Sequence, residues 1–263
     1  MRYYDAHLHL DDYPEAERER MLHDLPGLGC AGVIAVSKHL ASCRTTRELA
    51  LRHPELVHPA YGFHPEQPLP GEEETEELLA WIRRHAEECV AIGEIGLPYY
   101  TRTEAERRGE AFDQAPYLRL LDRLLALAAE LGKPVVLHAV YEDAEVACDL
   151  LNRHGIRRAH FHWFKGTPST VDRMIAEGRT ISFTPDLLYE EEIRQLAARY
   201  PAELTLAETD GPWPFEGPFA GRPTHPAMAA DVIHAWAVIR GLSPEEASSL
   251  LLANTRRFYG LKD

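Results

Sequence analysis

MRYYDAHLHL, residues 1 to 10, places His7 and His9 two positions apart in a run that reads as a β-strand. Side chains two apart on a strand share a face. Both imidazoles can therefore serve one divalent cation of the Zn, Mn or Fe kind, provided other ligands converge on it. Taken alone, the pair reads as two half-buried histidines on an ordinary strand. The rest of the chain changes that reading. Glu94 in AIGEIGL, His138 in PVVLHA, His162 in AHFHWF and Asp210 in LTLAETDGP each stand where a short apolar run ends. A strand that delivers a metal-competent side chain at its C-terminal end, followed by a helical segment, is the layout of a (β/α)₈ TIM-type barrel active face.

Periodicity agrees with that architecture. Strand-like runs fall near 3–9, 32–36, 56–61, 89–95, 134–138, 159–162, 179–184 and 203–207. Between them the spacing predicts helices over 14–25, 42–52, 73–87, a long one over 104–131, 143–154 and 168–177, and at the end 227–240 and 243–253. Strict β then α alternation implies parallel strands with crossover helices. The segment 211–226, GPWPFEGPFAGRPTHP, is rich in Pro and Gly and reads as a loop at the active face. With no repeat, linker or low-complexity tract, 1–263 reads as one α/β domain.

Composition narrows the classes. The chain has 263 residues, 45% of them hydrophobic and 27% charged, enough for a sizeable core. No apolar run is long enough to span a bilayer and the N-terminus lacks the pattern of a signal peptide, so a cytoplasmic protein is expected, with no membrane partner. Cys30, Cys43, Cys89 and Cys148 are scattered and read as reduced structural thiols. A net charge of −14 disfavours a broad electrostatic footprint on nucleic acid, so a polyanionic substrate must be met locally, as by cations in a cleft.

Taken together, D-A-H-L-H-L, G-E-I-G-L, P-V-V-L-H-A, H-F-H-W-F-K-G, A-E-T-D-G-P and N-T-R-R-F-Y-G-L resemble, in order and from Asp5 to Leu261, the TatD family of metal-dependent deoxyribonucleases. The resemblance implies an amidohydrolase-like barrel with a two-metal site that hydrolyses phosphodiester bonds in DNA. It implies that His7, His9 and Asp210 bind one metal, His138 and His162 bind the second, and Glu94 bridges them. Two such cations can clamp the attacking and leaving oxygens of a displacement. Asp210 and Glu94 are the catalytic candidates, Asp210 by orienting a water and accepting its proton. Zn, Mn, Ni, Fe and Mg all remain open as the metal, although Mg prefers more oxygen ligands.

Other residues are candidates for substrate binding. Family members often carry a G-x-H-P turn where His64 stands in YGFHPEQP, and His64 could donate to a phosphate oxygen or be a simple turn residue; Glu66 could support it. The chain also departs from the family. His138-Ala139-Val140 replaces H-S-R and loses an arginine expected to hold phosphate; Pro98 replaces the aspartate of G-L-D; and His162-Trp163-Phe164-Lys165-Gly166 replaces H-C-F-S-G. Lys165 is a candidate replacement cation, Trp163 either packing or a stacking surface, and Arg222 a loop cation that could reach over the metals. DNA is the expected substrate. A small phosphoester or another ester or amide is the alternative, a metal-binding protein with little catalysis the less favoured one, and a monomer the favoured state.

Overall fold

The computed structural model describes residues 1–262. Eight strands, β1 (Tyr3–Leu8), β2 (Cys30–Ala35), β3 (Val57–Tyr61), β4 (Ala91–Gly96), β5 (Val135–His138), β6 (Ala159–Phe161), β7 (Thr180–Phe183) and β8 (Thr205–Ala207), form one sheet in sequential order. Every neighbouring pair is parallel. The strands are buried along almost their whole length, because helices cover the outside and side chains fill the inside. The outer layer is α1 (Glu15–Asp24), α2 (Leu40–Arg52), α3 (Glu72–Arg84), α4 (Tyr99–Arg107), α5 (Ala115–Leu131), α6 (Glu142–Arg153), α7 (Pro168–Ala176), α8 (Glu191–Arg199), α9 (Met228–Arg240) and α10 (Pro244–Tyr259). This is the expected (β/α)₈ barrel.

Helix ends follow local chemistry. Ser243 accepts from the Glu246 backbone while the Glu246 carboxylate returns to Ser243, so α10 starts on a capping box with Pro244 in its first turn. Left-handed Gly132, Gly241 and Gly260 close α5, α9 and α10. α9 buries Trp236 completely against the sheet side.

Three expectations about helices change. The long helix over 104–131 is two helices: left-handed Gly109 ends α4, and Asp113 accepts from the Ala115 backbone to restart the chain as α5, with Pro116 in its first turn. α8 lies outside the predicted helices; its Ile193 and Ala197 are buried, while Glu191, Glu192, Gln195 and Arg199 are exposed on the other face of a short amphipathic helix. The last helix continues past 253 to Tyr259 because Phe258 and Tyr259 reach the barrel interior. Segment 211–226 is a loop, and it carries a small apolar cluster of its own, Phe215 and Phe219 with Met228, against Trp163.

The strand ladder runs from β1 to β8, and the seam between β8 and β1 closes just beyond the end of β8. Asp210 N–H donates to His7 O at 2.9 Å and His9 N–H donates to Gly211 O at 2.7 Å. Asp5 adds a side-chain clasp: Oδ1 accepts from Thr209 N at 3.0 Å and Oδ2 from the Thr209 hydroxyl at 2.5 Å. No helix among the described residues is long and apolar enough to cross a membrane.

Candidate metal centre

The C-terminal ends of the strands gather His7, His9, Glu94, His138, His162 and Asp210 at the top of the barrel, each at most 9% exposed. Glu94 lies at the centre, and its two oxygens face different neighbours. Oε2 is 3.2 Å from His7 Nε2 and 3.2 Å from His9 Nε2; Asp210 Oδ1 completes that side at 3.3 Å from His7 Nε2. Oε1 is 2.8 Å from His162 Nε2 and 3.1 Å from His138 Nδ1, which are themselves 3.2 Å apart. Two ligand atoms at about 2.0–2.1 Å from one tetrahedral ion are about 3.3 Å apart, so both groups have the spacing of atoms around a cation. Two of the triads that could hold an ion are His7, His9, Asp210 and His7, Glu94, His162.

Buried polar atoms test whether this donor set fits a metal. His7 Nδ1 and Nε2, His9 Nδ1, Glu94 Oε2 and Asp210 Oδ1 are buried without a hydrogen-bond partner. Such orphaned groups are costly unless something else satisfies them, and three of them, His7 Nε2, Glu94 Oε2 and Asp210 Oδ1, converge on one point and fit a cation. Electrostatics agree. Burial alone would lower the imidazoles, and it does act on His7 together with the charge of His162, yet Glu94 and Asp210 hold His7 up at about 9. His162 is likewise raised well above its ordinary value against its burial, by Glu94 and Glu208. Burial would raise Glu94, but the surrounding imidazoles hold it far below the usual carboxylate range. The carboxylates demand positive charge at this point.

The remaining side chains orient the donors. Glu66 Oε1 is 3.2 Å from His138 Nε2, which leaves Nδ1 for the centre. Glu66 is itself fixed by the first turn of α4, accepting from Tyr100 N and Thr101 N at 2.8 Å each. Glu208 Oε1 lies 3.5 Å from His162 Nδ1 and accepts from Trp163 N at 2.8 Å. A carboxylate on the far nitrogen of a histidine sets its tautomer and aims its other lone pair. His160 sits one layer deeper, its Nδ1 2.7 Å from Tyr259 Oη and its Nε2 2.6 Å from Ser182 Oγ; burial pushes it down to about 3, so it is a neutral part of the interior. Asp210 and Trp163 both take left-handed backbone, at φ 49° and 39°. Aspartate tolerates that region, and the turn carries Asp210 over the centre.

Above the centre opens a cavity of about 850 Å³, lined by His9, His64, Glu66, His138, His162 and Asp210 below and by Lys38, Tyr100, Trp163, Lys165 and Trp213 around the rim. His64 Nδ1 accepts from Glu66 N at 3.1 Å, which puts the proton on Nε2, 3.4 Å from Glu94 Oε1. Burial holds His64 neutral, down to about 3. That N–H faces Glu94 on the floor of the cavity, and His9, His64 and Glu94 form a third triad with ligand-like spacing. Lys165 Nζ reaches the rim 3.6 Å from Asp186 and 5.5 Å from the Trp163 ring. Trp163 packs against Trp213 and Phe215 and donates from Nε1 to Asp186 at 2.5 Å, so it is wall as well as loop anchor. Arg222 does not line the cavity. Its guanidinium stacks on Phe219, 5.5 Å from the ring, on the exposed side of the loop.

Sequence reasoning named the six central residues and passed over Asp5, Glu208 and Lys38. Asp5 precedes His7 by two and Glu208 precedes Asp210 by two, the same-face spacing that marked His7 and His9.

Comparison with known proteins agrees with this geometry. The family described as TatD related DNase matches residues 4–260. An uncharacterized metal-dependent hydrolase of Haemophilus influenzae is 34% identical, the match covering 98% of this chain and 99% of that protein. The 3′-5′ ssDNA/RNA exonuclease TatD of Erwinia tasmaniensis is 29% identical over 93% of this chain and 94% of its own. The crystal structure of a TatD homolog from Escherichia coli K12 superposes with a TM-score of 0.85 at 26% identity, covering 99% of both chains. The buried histidine and carboxylate centre and the match along nearly the whole chain have one conclusion: this protein belongs to the TatD family of metal-dependent hydrolases.

Proposed function

We propose that the protein is a phosphodiesterase that uses two divalent ions to cleave single-stranded DNA or RNA from an end, with 1–263 working as one domain. The observation that carries this reading is the division of Glu94, whose Oε2 faces His7, His9 and Asp210 while its Oε1 faces His138 and His162. One carboxylate between two donor sets is suited to a pair of cations, and relatives named as single-strand exonucleases supply the substrate class. The imidazole-rich set favours Zn, Mn, Fe or Ni over Mg. Four buried free cysteines are compatible with a reducing, cytoplasmic setting.

Divalent ions, when bound, polarise a phosphoryl oxygen and lower the pKa of water. Asp210, at the cavity floor, orients the attacking water and accepts its proton. His64 donates its Nε2 proton as a hydrogen bond to a phosphate oxygen, and Lys165 supplies the positive charge that the absent arginine after His138 would have given. The low dielectric of a buried centre strengthens each of these contacts. A panel of single-stranded DNA, RNA and aryl phosphoesters tests the proposal: metal-dependent shortening of the strands, faster than release of the aryl alcohol, supports it. Turnover of the aryl esters with intact strands contradicts it.

A further inference from the structure

Beside the catalytic cavity lies a second, open depression of about 560 Å³, lined by Tyr99, Tyr100, Thr103, Glu106, Arg107 and Tyr141. Tyr100 belongs to the walls of both and is 47% exposed, so the two spaces are continuous across one ring. Three tyrosines stand in sequence there. Tyr100 meets Tyr99 edge to face at 5.4 Å, and Tyr99 meets Tyr141 at 4.9 Å with the rings 31° apart. Tyr141 is held in a strained backbone conformation, φ 50° and ψ −127°, by its N–H bond to Lys165 O at 2.7 Å. Strain of this kind persists where surrounding structure fixes a side chain in a needed place.

Charge around the depression is already sorted. Glu104 pairs with Arg108, and Glu106 and Glu142 pair with Arg102, whose guanidinium also covers Tyr99. Arg107 is different. It is exposed, its guanidinium donates to the Thr103 hydroxyl at 3.5 Å and acts electrostatically on Tyr99, and it has no carboxylate partner among the described residues. A row of rings, Tyr100 exposed and Tyr99 and Tyr141 half-buried, next to a cation without a carboxylate partner matches what a single strand offers, bases to stack and phosphates to neutralise. The −14 net charge of the chain makes such local pairing necessary.

We infer that Tyr99, Tyr100, Tyr141 and Arg107 form a distal subsite that stacks the bases of the single strand leading out of the catalytic cavity. This rests on the proposed nuclease reading and adds to it a length preference. Glu66 couples the two places, since the carboxylate that aims His138 also fixes the backbone of Tyr100 and Thr101.

The test is binding of fluorescent, phosphorothioate-linked oligothymidylates, which resist cleavage, to the Mn-loaded protein, comparing a dinucleotide with a strand about six nucleotides long. The parent is expected to bind the longer strand more than tenfold tighter. Tyr99→Ala and Arg107→Ala are expected to lose roughly tenfold of that gain, and Tyr99→Phe to keep it. A length gain that survives in Tyr99→Ala, or a parent that gains nothing with length, overturns the subsite. Because no cleavage is read, this outcome is separate from failure of the protein to hydrolyse DNA.

Discussion

Asp5 of β1 grips Thr209 across the seam of the barrel, accepting both its backbone N–H at 3.0 Å and its hydroxyl at 2.5 Å. Asp5 Oδ1 also accepts from His7 N at 3.3 Å. One carboxylate therefore sets the distance between the His7 and His9 arm and the Asp210 arm of the centre. Asp5→Ala leaves buried donors on both arms without a partner, and each such group costs about 1–3 kcal/mol. The variant is expected to lose at least about 2 kcal/mol in urea unfolding and to bind metal more weakly. Parental stability and metal affinity would refute this role.

Glu94 turns one oxygen to His7 and His9 and the other to His138 and His162, and the two sides should be separable by mutation. His9→Ala removes a donor from the Oε2 side only, and His138→Ala removes one from the Oε1 side only. Metal analysis of purified variants should find about one equivalent lost in each, and both lost in Glu94→Gln. Retention of two equivalents in Glu94→Gln would contradict the bridging arrangement.

Glu208 should act through His162. Its carboxylate faces His162 Nδ1, so Glu208→Gln should weaken metal binding by about 10–100-fold, as loss of an orienting partner commonly does. The substitution keeps the Trp163 N–H acceptor, so thermal stability should change little while the metal titration shifts. Equal metal affinity in variant and parent would show that His162 needs no such partner.

Acid should destabilise the fold through neutral buried histidines. Burial lowers His58, which packs beside Tyr4 and over Gly32, below its ordinary 6.5. A base lowered in the folded state binds more protons when unfolded, so the stability tied to it is present above 6.5 and is lost as pH falls. Urea midpoints should therefore drop between about pH 7 and about pH 5, with a smaller drop in His58→Gln. An equal drop in the two proteins would remove His58 from the explanation.

Much of this was readable in the sequence because barrel strands repeat one rule. Apolar runs end on a functional side chain, and His7, Glu94, His138, His162 and Asp210 each obey it. The irregular features obey different physics. The split between α4 and α5 depends on one left-handed glycine and an aspartate that accepts from the Ala115 backbone, signals that a helical periodicity across 104–131 overrides. Arg222 occupies a loop whose path is set by packing of Phe215 and Phe219 against Trp163, contacts distant in sequence that no local pattern encodes. Glu66 stands beside His64 as the sequence suggests, but its carboxylate partners His138, Tyr100 and Thr101 come from two later βα units, which no local pattern encodes.

The most direct test of the account is cleavage of 5′- and 3′-labelled single-stranded DNA by the purified protein with added Mn, Zn or Mg, beside His7→Ala and Asp210→Ala. The account predicts stepwise shortening that stops with chelator and is lost in both variants. Intact strands under every metal, or cleavage that persists in both variants, would contradict it.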